Sequence, residues 1–327
     1  MDVNAVMAGF RKRAVFAVGD LMVDKFIFGK VSRVSPEAPV PVVEAVVESD
    51  VPGGAANVIS IMGMAGAKVF ASGVVGSDDS GRKLREKLKK EGIDVNGVML
   101  DRTRPTTLKT RIIAHNQQVV RVDRESKEGI SRRDENRILA YFSSVVRKVD
   151  GVVVSDYRKG TVTSRVVEKI TALAGKHKKP VVANTKADNL AHFRDVGVLM
   201  MDVDEANRAS GIRPMNEASV RTMGARILSL SDCGNVVIMR GKAGFSVFGG
   251  DGSAFNVRAP DLGGVYEFKK TEDTALGFLS LCLFSGESLF DAARFSSYVV
   301  EVLAGKTGVA KVTLEDVRES LAAHPPE

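Results

Sequence analysis

Apolar positions along this chain follow two different periods, and their alternation predicts its architecture. Short unbroken apolar runs occur at Ala14–Val18, Lys68–Val74, Gly151–Ser155, Pro180–Ala183, Val196–Met201 and Asn235–Met239. Runs of this length suit parallel strands covered on both faces. Between and after them, apolar residues recur at helical spacing over Gly54–Gly66, Asp79–Glu91, Asp134–Val149, Ser164–Lys176, Glu217–Ser229, Thr274–Leu283, Leu289–Ala304 and Leu314–Ala322. Strands and helices that take turns predict an α/β fold with a doubly wound, mainly parallel sheet flanked by helices.

Two segments break the alternation. Phe26–Asp50 and Leu108–Asp123 read as strands joined by turns, and in the second, Thr110–Ala114 and Gln118–Asp123 flank His115-Asn116, a hairpin turn. They lie too far apart in sequence to form a separate domain. Together they are expected to form a small β-sheet over one edge of the main sheet. The expectation is one domain over residues 1–327, with lid segments at about 25–50 and 105–124.

Composition narrows the class. Hydrophobic residues make up 44% and charged residues 27% of the 327 positions, as in ordinary globular proteins. No apolar stretch reaches membrane-spanning length. Arg11, Lys12 and Arg13 precede an apolar run that stops at Gly19-Asp20, so it reads as a first strand and not a signal peptide. Cys233 and Cys282 lack metal-ligand spacing and fit a reducing cytoplasm. The net charge of +7 lies largely on runs such as Lys83–Lys90, which read as solvated helix faces. Without aromatic and basic interleaving, nucleic acid is not the expected partner. A basic surface also suits anionic, phosphorylated small molecules.

The densest chemistry lies at residues 19–57. A strand ends at Gly19-Asp20, Asp24 follows, and a proline-marked excursion (SRVSPEAPVP) returns to Gly53-Gly54-Ala55-Ala56-Asn57, which opens a helix. Carboxylates and amides that hold hydroxyl pairs, beside glycines that admit a backbone, are what a sugar needs. A loop-ending glycine pair with an exposed asparagine is the competing reading. A second cluster, Lys109, Arg111 and Arg121, alternates with apolar residues and would share one strand face. That face could bind a phosphate or be merely solvated. Ser155-Asp156-Tyr157-Arg158-Lys159-Gly160 closes another strand at the carboxyl edge, where such sheets bind ligands.

These motifs resemble the ribokinase-like (PfkB) carbohydrate kinases, and SRVSPEAPVP and NQQVVRVD are similar to the heptose-7-phosphate kinases among them. The resemblance covers about residues 14–320. It implies a ribokinase-like fold whose β lid closes over the sugar and often pairs with a second subunit, giving a homodimer. It implies ATP and Mg²⁺ as cofactors, a sugar phosphate as substrate, and sugar contacts from Asp20, Asp24, Gly53, Gly54 and Asn57. The distal phosphate would meet Lys109, Arg111 and Arg121, with Asp156 and Lys159 at the strand end. On the nucleotide side it implies Arg240, Gly241, Gly244, Gly305 and Gly308, and Asn184 and Lys186, where the family commonly has Asp-Pro-Lys. Glu205 would support magnesium through water with Asp202, where the family has asparagine. Capping of a helix by Asp202 or Asp204 is the alternative.

The family's D-x-T-G-A-G-D-T signature is changed most. Here it reads Glu267-Phe268-Lys269-Lys270-Thr271-Glu272-Asp273-Thr274, with Gly277 in register. The resemblance gives Asp273 the role of general base and the backbone of 270–273 that of anion hole. Lys270, Thr271 and Glu272 replace Gly-Ala-Gly there. Phosphoryl transfer depends on donors placed around the moving phosphate. A carboxylate about 4 Å from it costs on the order of 4 kcal/mol at an effective dielectric of 20. An N-cap role for Asp273 competes with the catalytic one. Two functions are therefore expected: an ATP-dependent sugar-phosphate kinase, or a homologue that keeps the sugar-phosphate site and has lost transfer. A fused nucleotidyltransferase is not expected.

Overall fold

The computed structural model describes residues 3–115, 117–258, 268–306 and 311–323. The chain opens with α1 (Val3–Phe10) and β1 (Ala14–Gly19), then sends out two long strands, β2 (Leu21–Val34) and β3 (Pro41–Gly54), before α2 (Ala55–Met64). β4 (Lys68–Gly76), α3 (Asp79–Lys90) and β5 (Asp94–Asp101) follow, and β6 (Thr107–Ala114) and β7 (Gln117–Arg124) leave the body as a second excursion. Next come α4 (Arg132–Val145), β8 (Gly151–Ser155), α5 (Ser164–Lys176), β9 (Val181–Asn184), β10 (Val198–Asp202), α6 (Val203–Ser210), α7 (Glu217–Ser231) and β11 (Asn235–Met239). A hairpin of β12 (Phe245–Gly249) and β13 (Ala254–Val257) precedes α8 (Phe268–Phe284), α9 (Leu289–Ala304) and α10 (Leu314–Ala323).

Nine strands form the main sheet in the order β13-β12-β11-β10-β9-β8-β1-β4-β5. β5 through β11 run parallel and the terminal hairpin is antiparallel. Buried residues on β1 alternate between two cores. Val15 and Ala17 face the layer built on α1, α2, α8 and α9, while Phe16 and Val18 face α4 and α5. Burial on both sides explains why the central strands read as unbroken apolar runs. Chain order reverses between β1 and β8, so their carboxyl ends, Gly19-Asp20 and Ser155-Asp156, flank the crevice where such sheets bind ligands.

The second sheet has the order β3-β2-β6-β7, and the expected meeting of the two excursions is made by β2 pairing parallel to β6. Residues Asp24 and Phe26 of β2 lie opposite Lys109 and Arg111 of β6, which lie opposite Asp123 and Arg121 of β7. Opposed residues share a face. The cations foreseen on one face are therefore there, in the company of acids. His115 occupies the turn with φ 51°, and Asn116 lies outside the described residues.

Several elements differ from expectation. Strand β5 was unexpected because its sequence, DVNGVMLD, interrupts the apolar run, and α6 is too short for helical periodicity to register. The largest difference is α8, which begins at Phe268 and not at Thr274. Lysine, threonine and glutamate continue a helix where glycine would cost up to about 1 kcal/mol per residue.

Candidate active site

Asp273 sits in the second turn of α8 and is 4% exposed. Asn57, from the first turn of α2, donates its Nδ2 to Asp273 Oδ2 at 2.7 Å. Tyr157 donates its hydroxyl to the other oxygen. Burial pushes the Asp273 carboxyl up to about 8, against the pull of Tyr157 and Asn57, while Glu272 and Asp24 push it further up. Burial and the Asp273 charge likewise hold the Tyr157 phenol well above its usual range. The helix start at Phe268 removes the N-cap alternative for Asp273.

It also bears on the expected anion hole. In a helix the amide of residue i bonds the carbonyl of residue i−4, and only the first few amides stay free. With Phe268 leading, the amides of Glu272 and Asp273 are committed within α8, while that of Lys270 belongs to the free first turn. The Lys270 side chain lies outside the described residues, and Thr271 is buried.

Glu272 turns to the ends of the neighbouring strands. Its Oε1 accepts from Asn184 Nδ2 at 3.1 Å, and its Oε2 lies 3.2 Å from Lys186 Nζ. The same ammonium is 3.7 Å from Asp202 and 3.8 Å from Glu205, and stands 5.4 Å from the Tyr157 ring centroid. Burial draws the Lys186 pKa down, but the charges of Glu272, Asp202 and Glu205 together raise it. Asp202 caps α6 by accepting from the Glu205 amide at 2.8 Å, as the alternative reading had it. Glu205 accepts from the Ala187 amide at 3.0 Å and from Arg208.

These oxygens set the fit for a magnesium ion. Among the described residues no group of three or more histidine, cysteine, aspartate or glutamate side chains could by itself hold a metal. Asn184 Oδ1, however, is buried without a partner beside this cluster. Hard oxygens of this kind suit Mg²⁺ that keeps its waters and rides on phosphates, although Lys186 competes for the same carboxylates.

On the sugar side, Asp24 and Asn57 line a pocket with Phe26, Val51, Thr274 and Lys311. Asp24 is paired with Arg111, whose guanidinium lies 5.4 Å from the Phe26 ring centroid. A Cβ on Gly53 would come 2.5 Å from Asp24 Oδ2, and one on Gly54, at φ 53°, 2.5 Å from Met22 Cε. The glycines thus admit Asp24 and the lid base before any ligand.

Other expected ligand residues have partners within the protein. Asp20 is 1% exposed and accepts from the amides of Tyr157, Lys159 and Thr161, all at 2.9 Å, pinning the loop after β8 from beneath. Asp156 is fully buried, bonded to the Arg158 amide, Thr185 and Asn189; burial and then Asp20 push its carboxyl up to about 6. Lys159 and Lys109 pair with Glu125 at 2.8 and 3.3 Å, and Arg121 takes Asp123 bidentately. Arg240, beside the turn at Gly241 and Gly244, donates to Glu217 at 2.7 Å. Gly305 caps α9, and Gly308 lies outside the described residues.

The residue missed in the sequence is Tyr157. Its place between Asp156 and Arg158 at the end of an apolar strand was visible, but its partner Asp273 lies 116 positions away.

A nine-stranded, mostly parallel sheet flanked by helices, with a smaller four-stranded sheet beside it, is the ribokinase-like arrangement. The family profile of the pfkB family carbohydrate kinases matches residues 12–316, and the chain belongs to that family. Curated relatives include proteins named Bifunctional protein HldE. The one from Geobacter sulfurreducens is 36% identical over 304 residues, covering 93% of this chain and 62% of the relative. The one from Helicobacter pylori is 33% identical over 316 residues, covering 93% and 65%. The chain therefore spans under two thirds of the length of these relatives. Among solved structures, Arabidopsis thaliana ribokinase complexed with ribose and ATP aligns with a TM-score of 0.74 at 15% identity, over 94% of this chain and 98% of that one. Escherichia coli phosphofructokinase-2 in complex with substrates and products gives 0.75 at 15%, over 95% and 99%. At such identity these two speak for the fold. No helix among the described residues is long and apolar enough to cross a membrane.

Proposed function

We propose that the chain is an ATP-dependent kinase for a sugar phosphate of the heptose-7-phosphate type, acting in the cytoplasm and pairing with a second copy through the lid. The observation that carries this is the Asn57–Asp273–Tyr157 constellation, a buried carboxylate with a raised pKa beside the Asp24 pocket. Asp273, once ionised, takes the proton of the attacking sugar hydroxyl. That oxygen bonds the γ-phosphorus as the β–γ bridging bond breaks, and ADP leaves. A base tuned near neutral pH suits this task. Asn57 and Tyr157 orient the carboxylate, and Asp24 with Arg111 holds sugar hydroxyls. Lys186, Asn184 and Arg240 serve the nucleotide phosphates. Glu205 and Asp202 would hold a magnesium ion through water, and that ion would neutralise phosphate charge. ADP release with a panel of heptose phosphates tests the reading: turnover in the native chain, and its loss in Asp273→Asn with sugar binding retained, is expected.

A second reading has its own support. Glu272 engages Lys186, and the extended α8 consumes amides that would cradle a phosphate. Under it the chain binds a sugar phosphate without transferring phosphate. Calorimetric sugar binding with neither ATP binding nor ADP release decides for this second function.

A further inference from the structure

Beyond the carboxyl ends of β4 and β5 lies an open cleft of about 640 Å³ that none of the roles above uses. Ser77, Thr103 and three arginines, Arg102, Arg104 and Arg124, line it with a single carboxylate, Asp78. That carboxylate is well occupied. It accepts from the amides of Gly81 and Thr106 at 2.9 and 3.0 Å, from the Thr106 hydroxyl at 2.6 Å, and from Arg124. Arg104 donates to the backbone carbonyls of Lys159 and Ser126, and among the described residues no carboxylate pairs with it. Three arginines against one satisfied carboxylate leave the lining of the cleft with an excess of positive charge. Asp101, nearby, spends its Oδ1 on the amide and hydroxyl of Thr103.

We infer that this cleft is a binding site for a phosphate dianion, free or carried as a monoester. Guanidinium forks match phosphate oxygens in pairs, and hydroxyls of serine and threonine complete such a shell. The volume admits a phosphosugar as readily as a free phosphate. Arg104 joins the site to the loop that carries Tyr157, through the Lys159 carbonyl. The anion is either inorganic phosphate or the distal phosphate of the phosphosugar, and only the latter source rests on the kinase reading. It stands apart from the Lys109, Arg111 and Arg121 face, whose cations already have acids.

Calorimetric titration of the full chain with inorganic phosphate, and separately with sedoheptulose 7-phosphate, tests the site without nucleotide. Arg102→Gln with Arg124→Gln removes two forks and leaves Arg104 to brace its loop. Phosphate affinity is expected to fall about tenfold or more, from lost charge-assisted contacts. Arg102→Lys with Arg124→Lys should retain part of it, and an unchanged melting temperature without ligand shows the fold intact. If phosphate binding weakens and sugar-phosphate binding does not, the site takes a free anion. If both weaken, it holds the substrate's own phosphate. Phosphate that fails to bind the native chain, or binds the double glutamine variant equally well, overturns the assignment. ADP release, measured separately, judges the kinase reading on its own.

Discussion

Asp273 is placed where a charge is costly and a proton useful. Its pKa of about 8 reflects burial first, and the hydrogen bond from Tyr157 is the largest influence opposing it. Removing that donor raises the pKa further, so Tyr157→Phe should move the alkaline-rising limb of kcat/KM to higher pH. A profile that stays in place would separate Tyr157 from the base. At Gly53 the constraint is steric. Alanine there drives a methyl against Asp24 Oδ2, which must swing and leave Arg111. Sugar-phosphate affinity in Gly53→Ala should drop about tenfold, read by calorimetry. At this scale the sequence exposed residue types better than their partners. Asp24, Asn57 and Asp273 were legible as polar groups beside glycines and helix starts. Asp20 and Asp156 were equally visible, yet they sit under the site because backbone amides claim them.

Among the elements, α8 departs most from what its sequence suggested. The apolar pattern begins at Thr274, and the polar Lys-Thr-Glu before it looked like a loop. Helix propensity and the anchoring of Glu272 by Asn184 and Lys186 carry the helix back to Phe268. Glu272→Gly removes both supports. The variant should bind ATP–magnesium more tightly, because Lys186 loses its strongest competitor for phosphate, and turnover should rise with affinity. Equal ATP affinity in variant and native chain would remove Glu272 from any account of the nucleotide site. The central strands were legible because burial on both faces leaves an unbroken apolar run. The edge strands β5 and β13, and β12 beside β13, were not, since their cores are shared with long-range neighbours that no local period reveals.

For the molecule as a whole, two buried carboxyls set a pH dependence. Asp156, at about 6, and Asp273, at about 8, both hold protons in the folded state that the unfolded chain releases near pH 4. A raised carboxyl pKa stabilises the fold at low pH, and that contribution is lost as pH climbs. Asp156 acts between about 4 and 6, and Asp273 between about 4 and 8. The melting temperature of the native chain should therefore fall between pH 6 and 8 relative to Asp273→Asn, whose curve lacks that slope. Parallel curves would contradict the raised pKa. Assembly is the other whole-molecule property. Val119, Val120 and Val122 on β7 and Val46 and Val47 on β3 are exposed at 42%, 45%, 55%, 65% and 54%, on the sheet proposed to pair with a second copy. Light scattering should give a dimer mass, and Val122→Lys should yield monomers.

The clamp at Asp20 has a mechanical meaning. β2 starts at the very next residue, so the lid springs from a point riveted by three amides to the segment bearing Tyr157. Any swing of the sheet above must pivot there, and torque on it is felt first by the phenol bonded to Asp273.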